Sequence, residues 1–319
     1  MNMQASQWRA IALAEEVTGG KPLGVVFNGE PIVLFRNQDG VVRALENRCP
    51  HRRVPLSLGK VRPDGLLQCG YHGWSFDGET GKCGLIPNLR ADEKVPATYG
   101  VFPYRAAERH NMVYISVGGD VAALPEANIP SGTRDFSGRV MIGLSPDDYI
   151  EALMDGPDLL LDCAGMRISR TMAADPHERD GMLVMERAAY WFGQSSFDGF
   201  VREYGLLFRL AVQPGTGEIW ASFLRPDGVM LAGAHMAISS ARRGVSAVLW
   251  RSFVSPASGP RAALLGLAAR LGRAPIAPRQ AIDMAAVADL LAGPSEYWER
   301  GTQDEGLYGD VVMKERARI

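Results

Sequence analysis

Residues 49–74 read CPHRRVPLSLGKVRPDGLLQCGYHGW and contain two short segments, each with one cysteine and one histidine. The order is Cys49-x-His51, then seventeen residues, then Cys69-x-x-His72. Thiolate and imidazole are the side chains that zinc and iron centres commonly use, and four of them in two short segments indicate a shared metal site. The spacing therefore predicts that these four residues bind metal together.

Two kinds of metal centre use two cysteines and two histidines. Zinc fingers place the two cysteines together and the two histidines together, with a helix between the pairs. Here each segment has one ligand of each kind, and strands and turns surround them. In a Rieske [2Fe-2S] centre, two histidines replace two cysteines on one of the irons. The alternating order favours a Rieske cluster on Cys49, His51, Cys69 and His72 over zinc, and hence a chain that accepts electrons from a donor.

The residues around the two segments predict a small all-β domain. Asn28-Gly29 and Asp39-Gly40 separate short β-rich segments, which is a strong signal for hairpins. From Gly118 to Gly138 the chain is rich in Gly, Pro, Ala and Asp and has no periodicity, which is typical of a connection between domains. We therefore predict a first domain at residues 1–125 and a second at residues 126–319.

The second domain mixes strands with helices. Strand patterns separated by turn residues recur from Met182 to Phe253. After Pro260 the pattern becomes helical, and the segments with this periodicity are Ala262–Leu271, Ala281–Leu291 and Val311–Ile319. An antiparallel sheet with helices packed on one face accounts for both patterns, so the predicted fold class is α+β.

The chain resembles the Rieske non-heme iron oxygenases over about Trp8–Val117. The resemblance rests on the two cluster segments and on Ile32–Arg48, Asp77–Pro87 and Glu108–His110. Its size and layout are most similar to the demethylase-like branch of vanillate, phthalate and dicamba oxygenases. The resemblance implies that the second domain is a helix-grip (START-like) domain, which holds a mononuclear iron and a small aromatic ligand. It also implies a trimer, in which one subunit's cluster lies beside its neighbour's iron, and a reductase or ferredoxin as electron donor.

The family's mononuclear site uses Asp-x-x-His, a second histidine about four residues later and a distant carboxylate. The matching stretch of this chain is Tyr149–Gly165, YIEALMDGPDLLLDCAG. Asp155 matches the acidic residue that, in the family, bridges the neighbour's cluster to the iron. Asp158 stands at the first histidine position. Cys163 stands at the second, or Asp162 if one residue is deleted.

The distant carboxylate is best matched by Asp283, with Asp289 as the second choice. Three histidines remain besides the cluster pair, and none has the spacing to restore the iron site. His110 matches a non-ligand position of the first domain, and His177 lies in a charged loop that predicts a surface role. His235 lies on an apolar strand, where we expect a hydrogen-bonded pocket or core histidine.

Five carboxylates between Asp148 and Asp162 recur at steps of three and four residues. They would share one helix face if the helix continued through Gly156-Pro157, and like charges at this spacing repel each other. One interpretation is a solvated acidic stripe, or ion pairs with Arg167 and Arg170. The others are a hard-cation site built from oxygens and an iron centre with unusual ligands.

Composition excludes some partners. Hydrophobic residues make up 46% of the chain and charged residues 22%, which is typical of a soluble globular protein. The formal net charge of -2 provides no basic excess for binding nucleic acid. We find no apolar run long enough to cross a membrane and no secretory signal. The expected location is the cytoplasm.

Three functions remain. The first is an active Rieske monooxygenase that hydroxylates or demethylates a small aromatic substrate with atypical iron ligands. The second is an electron-carrying subunit without its own mononuclear iron, which pairs with active oxygenase subunits in a homo- or hetero-trimer. The third is a binding module for an apolar ligand, with the cluster as a redox sensor. The replacement of both histidines favours the second.

Overall fold

The computed structural model describes residues 7–90, 93–117, 124, 135–191, 205–213, 215–256 and 260–293. The chain divides into two compact units, the first of Met1–Glu126 with Ser239–Ala247 and the second of Ala127–Ile238 with Val248–Ile319. The predicted domain boundary at residues 125 and 126 and the predicted helix Val311–Ile319 lie outside the described residues. Among the described helices, none combines the length and the apolar character needed to span a membrane.

The first unit is built from short antiparallel strands. They are β1 (Gln7–Leu13), β2 (Leu23–Phe27), β3 (Glu30–Arg36), β4 (Val42–Glu46), β5 (Lys60–Val61), β6 (Leu67–Gln68), β7 (Ser75–Phe76), β8 (Cys83–Leu85), β9 (Pro103–Tyr104), β10 (Ala106–Arg109) and β11 (Met112–Val117). The strand orders of the three sheets are β1-β11-β10, β2-β3-β4-β9 and β5-β6-β7-β8.

Both faces of strand β3 are buried, so its side chains contribute to two separate hydrophobic clusters. Ile32 and Leu34 lie in one hydrophobic cluster, whereas Val33 and Phe35 lie in another that also contains the two predicted cysteine ligands. Alternate side chains of a strand point to opposite faces, so one strand can serve both cores. The predicted hairpin at Asn28-Gly29 is confirmed, with φ of 50° and 80° at its two residues.

The second unit contains a large antiparallel sheet with the strand order β12-β20-β19-β18-β17-β16-β14, in which β15 also pairs with β16. Its strands are β12 (Asp135–Ile142), β14 (Met166–Ala173), β15 (His177–Arg179), β16 (Met182–Trp191), β17 (Leu206–Gln213), β18 (Glu218–Leu224), β19 (Met230–Arg242) and β20 (Val245–Val254). A separate pair joins β13 (Leu161–Cys163) to β21 (Ile276–Pro278). The described helices are α1 (Pro146–Asp155), α2 (Pro157–Leu160), α3 (Pro260–Arg270) and α4 (Met284–Ala292). The predicted α+β class, an all-β unit followed by a sheet with helices, is confirmed.

The residues at its two ends explain where helix α1 begins and where it stops. The Ser145 side chain accepts a hydrogen bond from the Asp148 backbone N–H at 3.1 Å, and Pro146 occupies the first turn. The helix ends at Asp155, because Pro157 has no N–H to continue the helical hydrogen bonds. The chain then forms the single turn of α2 and enters β13, which carries Asp162. The five acidic residues therefore do not share one continuous helix face.

Candidate cluster site and the cleft of the second unit

The two predicted ligand segments form loops with the same backbone hydrogen bonds. We name them loop A (Cys49–Val54) and loop B (Cys69–Trp74). In each loop the first N–H donates to the last carbonyl, at 2.9 Å in loop A and 2.8 Å in loop B. The fifth N–H donates to the first carbonyl, at 2.8 Å and 3.1 Å. The fifth residue has a positive φ in both, 59° at Arg53 and 75° at Gly73.

The two cysteines lie on the buried side of the loops. Cys49 and Cys69 are each 3% exposed and belong to the hydrophobic cluster that contains Phe35 and Phe76. Burial, together with the neighbouring Cys69, raises the pKa of the Cys49 thiol to about 11. The loops therefore bring the two sulfur ligands together at the edge of the core.

The two histidines lie together on the exposed side. The ring centroids of His51 and His72 are 4.6 Å apart, with their planes at 55°. The pKa of His51 is lowered by loss of solvent and by the nearby His72 and Arg52. One buried thiol pair and one exposed imidazole pair match a [2Fe-2S] cluster, in which cysteines hold one iron and histidines the other. The residues present therefore fit the predicted cluster.

The mononuclear-site positions of the second unit line one cleft of about 770 Å³. The cleft is lined by Asp158, Asp162, Cys163 and Asp283, by Arg167, Arg170 and Arg279, and by Leu159, Leu161, Met166, Ile168, Ser169, Tyr190 and Ala281. Neither Asp155 nor Asp289 is among its lining residues.

The carboxylates of this cleft have protein partners. Asp158 Oδ2 lies 2.5 Å from the Arg170 Nε, and Asp162 Oδ1 lies 3.4 Å from the Arg279 Nε. Asp283 is the N-cap of α4 and accepts hydrogen bonds from the Ala285 and Ala286 backbone N–H groups at 3.1 and 3.2 Å.

Cys163 lies on β13, opposite Ile276 of β21. Burial raises the pKa of its thiol to about 12, and the charge of Asp162 adds to the increase. The thiol therefore keeps its proton at neutral pH, and a metal ion would have to displace that proton to bind.

Arg187 is a residue that the sequence reasoning missed. It lies on β16 with 7% exposure and reaches the C-terminal end of α1. Its Nη2 donates to the Met154 and Asp155 carbonyls at 3.0 and 2.7 Å, and its Nη1 donates to the Arg170 carbonyl at 3.2 Å. Arg187 thereby fixes the backbone of the predicted bridge residue. An arginine inside the apolar segment MLVMERAAYW was the available signal.

His235 is the buried, hydrogen-bonded histidine that the sequence predicts. It is 1% exposed, its Nε2 lies against Glu218 Oε2, and the ring of Trp220 stacks on it at 5.2 Å. The other two non-ligand histidines lie away from the cleft lining, His110 in the turn between β10 and β11 and His177 on β15.

Comparison with known families gives one match, to the Rieske [2Fe-2S] domain over residues 7–103. Among curated relatives, the chain is 38% identical over 120 residues to TIC 55 of Arabidopsis thaliana, which covers 38% of this chain and 22% of that protein. It is 40% identical over 140 residues to the oxygenase component of dicamba O-demethylase from Stenotrophomonas maltophilia, which covers 44% of this chain and 38% of the relative. These alignments therefore span well under half of either relative.

Solved structures extend the likeness to nearly the whole chain. Dicamba monooxygenase bound to 3,6-dichlorosalicylic acid has a TM-score of 0.65 at 20% identity, and the match covers 98% of this chain and 95% of that one. NdmB of Pseudomonas putida has a TM-score of 0.61 at 14% identity, over 97% and 88% of the two chains. The fold of both units is thus that of these proteins. Residues 7–103 of the chain form a Rieske [2Fe-2S] domain, and the fold of the chain is similar to that of dicamba monooxygenase and NdmB.

Proposed function

We propose that this chain is an electron-carrying subunit of an oxygenase system and has lost the mononuclear iron of its second unit. The observation that carries the proposal is the pairing of Asp158 with Arg170 at 2.5 Å, at the position of the family's first histidine ligand. An oxygenase iron site needs two neutral imidazoles and one carboxylate, with positions left open for oxygen. An aspartate already neutralised by arginine meets neither requirement.

The other two positions support the same conclusion. Cys163 lies opposite Ile276 and packs against the hydrophobic core of the second unit. The Asp283 carboxylate is engaged by two backbone N–H groups as the cap of α4, and a metal ion would have to compete with those hydrogen bonds. Each of these side chains therefore has a structural role in the protein.

The first unit retains all that electron carriage needs. When bound, the cluster accepts and releases one electron. The cysteine pair buries one side of the site, and the exposed histidine pair leaves the other side open to a partner. We propose a reductase or ferredoxin as the donor and a mononuclear iron in another subunit as the acceptor. The four cysteines form no disulfide with one another, as is usual in a reducing compartment, and we place the protein in the cytoplasm.

Assembly follows from this proposal. A chain without its own oxygenase iron is useful only where its cluster approaches an active subunit, as in a hetero-trimer with a related oxygenase chain. Asp155 is the proposed residue through which this chain contacts the neighbour's cluster histidine, and Arg187 holds its backbone carbonyl at 2.7 Å. A bridge residue connects the neighbour's cluster to the iron of its own chain, and it has no such function if that iron is absent. We therefore expect the substitution Asp155→Asn to leave electron transfer from this chain unchanged.

An iron count on the full chain tests the proposal. We expect two irons per chain and no high-spin signal when nitric oxide is added to the reduced protein. A matched pair of variants, Asp158→Ala and Arg170→Ala, should leave the iron count at the wild-type value. Three irons per chain together with the nitric oxide signal would refute the loss of the site, and a fall in iron content in Asp158→Ala would identify Asp158 as a ligand.

The second candidate is an active monooxygenase with atypical ligands. The observation that favours it is the cleft of about 770 Å³, which is large enough for a small aromatic molecule and lies at the predicted iron-ligand positions. Turnover of an aromatic methyl ether with a supplied reductase would support this candidate. Purification with a second Rieske subunit in fixed ratio would support the electron-carrying role.

A further inference from the structure

Five aromatic rings form a continuous row through the cluster site. Tyr99 contacts Trp74 with ring centroids 5.0 Å apart, and Trp74 contacts His51 at 4.9 Å. His51 contacts His72 at 4.6 Å, and His72 contacts Tyr71 at 3.9 Å. Each histidine ligand therefore contacts one aromatic side chain in addition to the other histidine.

Trp74 connects the two loops. Its carbonyl accepts the hydrogen bond from the Cys69 N–H that closes loop B. Its indole lies on His51 of loop A, with the two ring planes only 4° apart. Trp74 is also half-buried and packs on the hydrophobic cluster that contains both cysteines. The His51 ring is thus stacked on a residue of the opposite loop.

The two histidines have different surroundings. His51 is covered by the half-buried Trp74, which Tyr99 supports from behind. His72 is bordered by Tyr71, which is 62% exposed. The aromatic side chain beside His72 is therefore more exposed than the one beside His51.

We propose that Trp74 is a positioning residue for the His51 ligand, fixing the plane of its imidazole and lowering the reduction potential of the cluster. The electron-rich face of an indole favours positive charge beside it. The reduced cluster carries one more negative charge than the oxidised one, so the indole disfavours reduction. Excluding water acts in the same direction, because water stabilises the more highly charged form. This inference rests on the Rieske domain alone and stands whether or not the second unit holds iron.

The test is an EPR-monitored redox titration of the full chain carrying Trp74→Leu or Trp74→Phe, with Tyr71→Leu as the matched control at the other histidine. We expect Trp74→Leu to raise the ratio of reduced to oxidised cluster at a fixed solution potential about twofold to fivefold. For a one-electron couple that is about 20 to 40 mV. Trp74→Phe should shift the ratio less, and Tyr71→Leu least, because Tyr71 is already largely solvated.

The g values should change in the same order, because the orientation of the imidazole changes with the loss of the stacked ring. A Trp74→Leu protein with the wild-type iron content, potential and g values overturns the proposal. If that variant does not assemble a cluster, the reduction potentials of Trp74→Phe and Tyr99→Leu test the proposal instead. Tyr99→Leu removes the supporting ring without altering either loop. A positive shift in either variant supports the role of Trp74, and wild-type potentials in both overturn it.

Discussion

Replacing Arg187 by methionine should destabilise the second unit specifically. The change removes three hydrogen bonds to carbonyls, at 2.7, 3.0 and 3.2 Å, and a cation at the C-terminal end of α1. Hydrogen bonds to charged groups contribute about 1.5–3 kcal/mol each, and they are not additive when they share one donor group. Methionine also recovers part of the packing of the arginine stem. We therefore expect the free energy of unfolding of this unit to fall by about 3 kcal/mol.

Urea denaturation with two probes measures this effect. The visible absorbance of the cluster reports on the first unit, whereas far-UV circular dichroism reports on both, and the two units need not unfold together. The matched control is Arg225→Met, which breaks an exposed ion pair with Asp227 and should cost less than about 1 kcal/mol. The reasoning fails if both variants shift the circular dichroism midpoint equally, or if Arg187→Met shifts only the cluster transition.

Three further predictions concern single residues. Cys69→Ser should abolish the Rieske EPR signal while Cys83→Ser retains it, and an unchanged spectrum in the first variant would show that the ligand assignment is wrong. A Cβ at Gly59 would lie 1.9 Å from the Gln68 carbonyl oxygen, so Gly59→Ala should destabilise the first unit by about 1–3 kcal/mol, measured as a lower temperature of cluster loss. A wild-type midpoint would contradict it. The folded pKa of Cys163, about 12, lies above its ordinary value of 9.0, so its contribution to stability is complete below about pH 9 and is lost as the pH rises toward 12. Urea midpoints measured across that range should fall less steeply in Cys163→Ala than in the wild type, and equal slopes would argue against a buried thiol.

The cluster site was predictable from the sequence because its chemistry is local. Each loop contains its own cysteine, its own histidine and a fifth residue with positive φ, and backbone bonds within the loop close it. The hairpin at Asn28-Gly29 was predictable for the same reason, since a dipeptide alone favours that turn. The start of α4 was missed by only a few residues, and the cap at Asp283 explains where the helix begins.

Most contacts between distant segments were beyond sequence reasoning. The ion pair of Asp158 with Arg170 is an exception, because the sequence offered pairing with Arg170 as one interpretation of the acidic stretch. The ring of Trp74, by contrast, meets His51 only because two loops face each other. Arg187 reaches α1 from the middle of a sheet strand. Such contacts depend on sheet register and on helix placement, which periodicity in the sequence does not determine.

The shared backbone of loops A and B has a consequence for how the four ligands are supplied. Both loops are closed by hydrogen bonds between their own main-chain groups. These bonds offset part of the conformational entropy that each loop loses when it is ordered. Each loop is thus a self-contained unit that offers one thiol and one imidazole, and a side-chain substitution within it can remove a ligand without removing the bonds that close the loop.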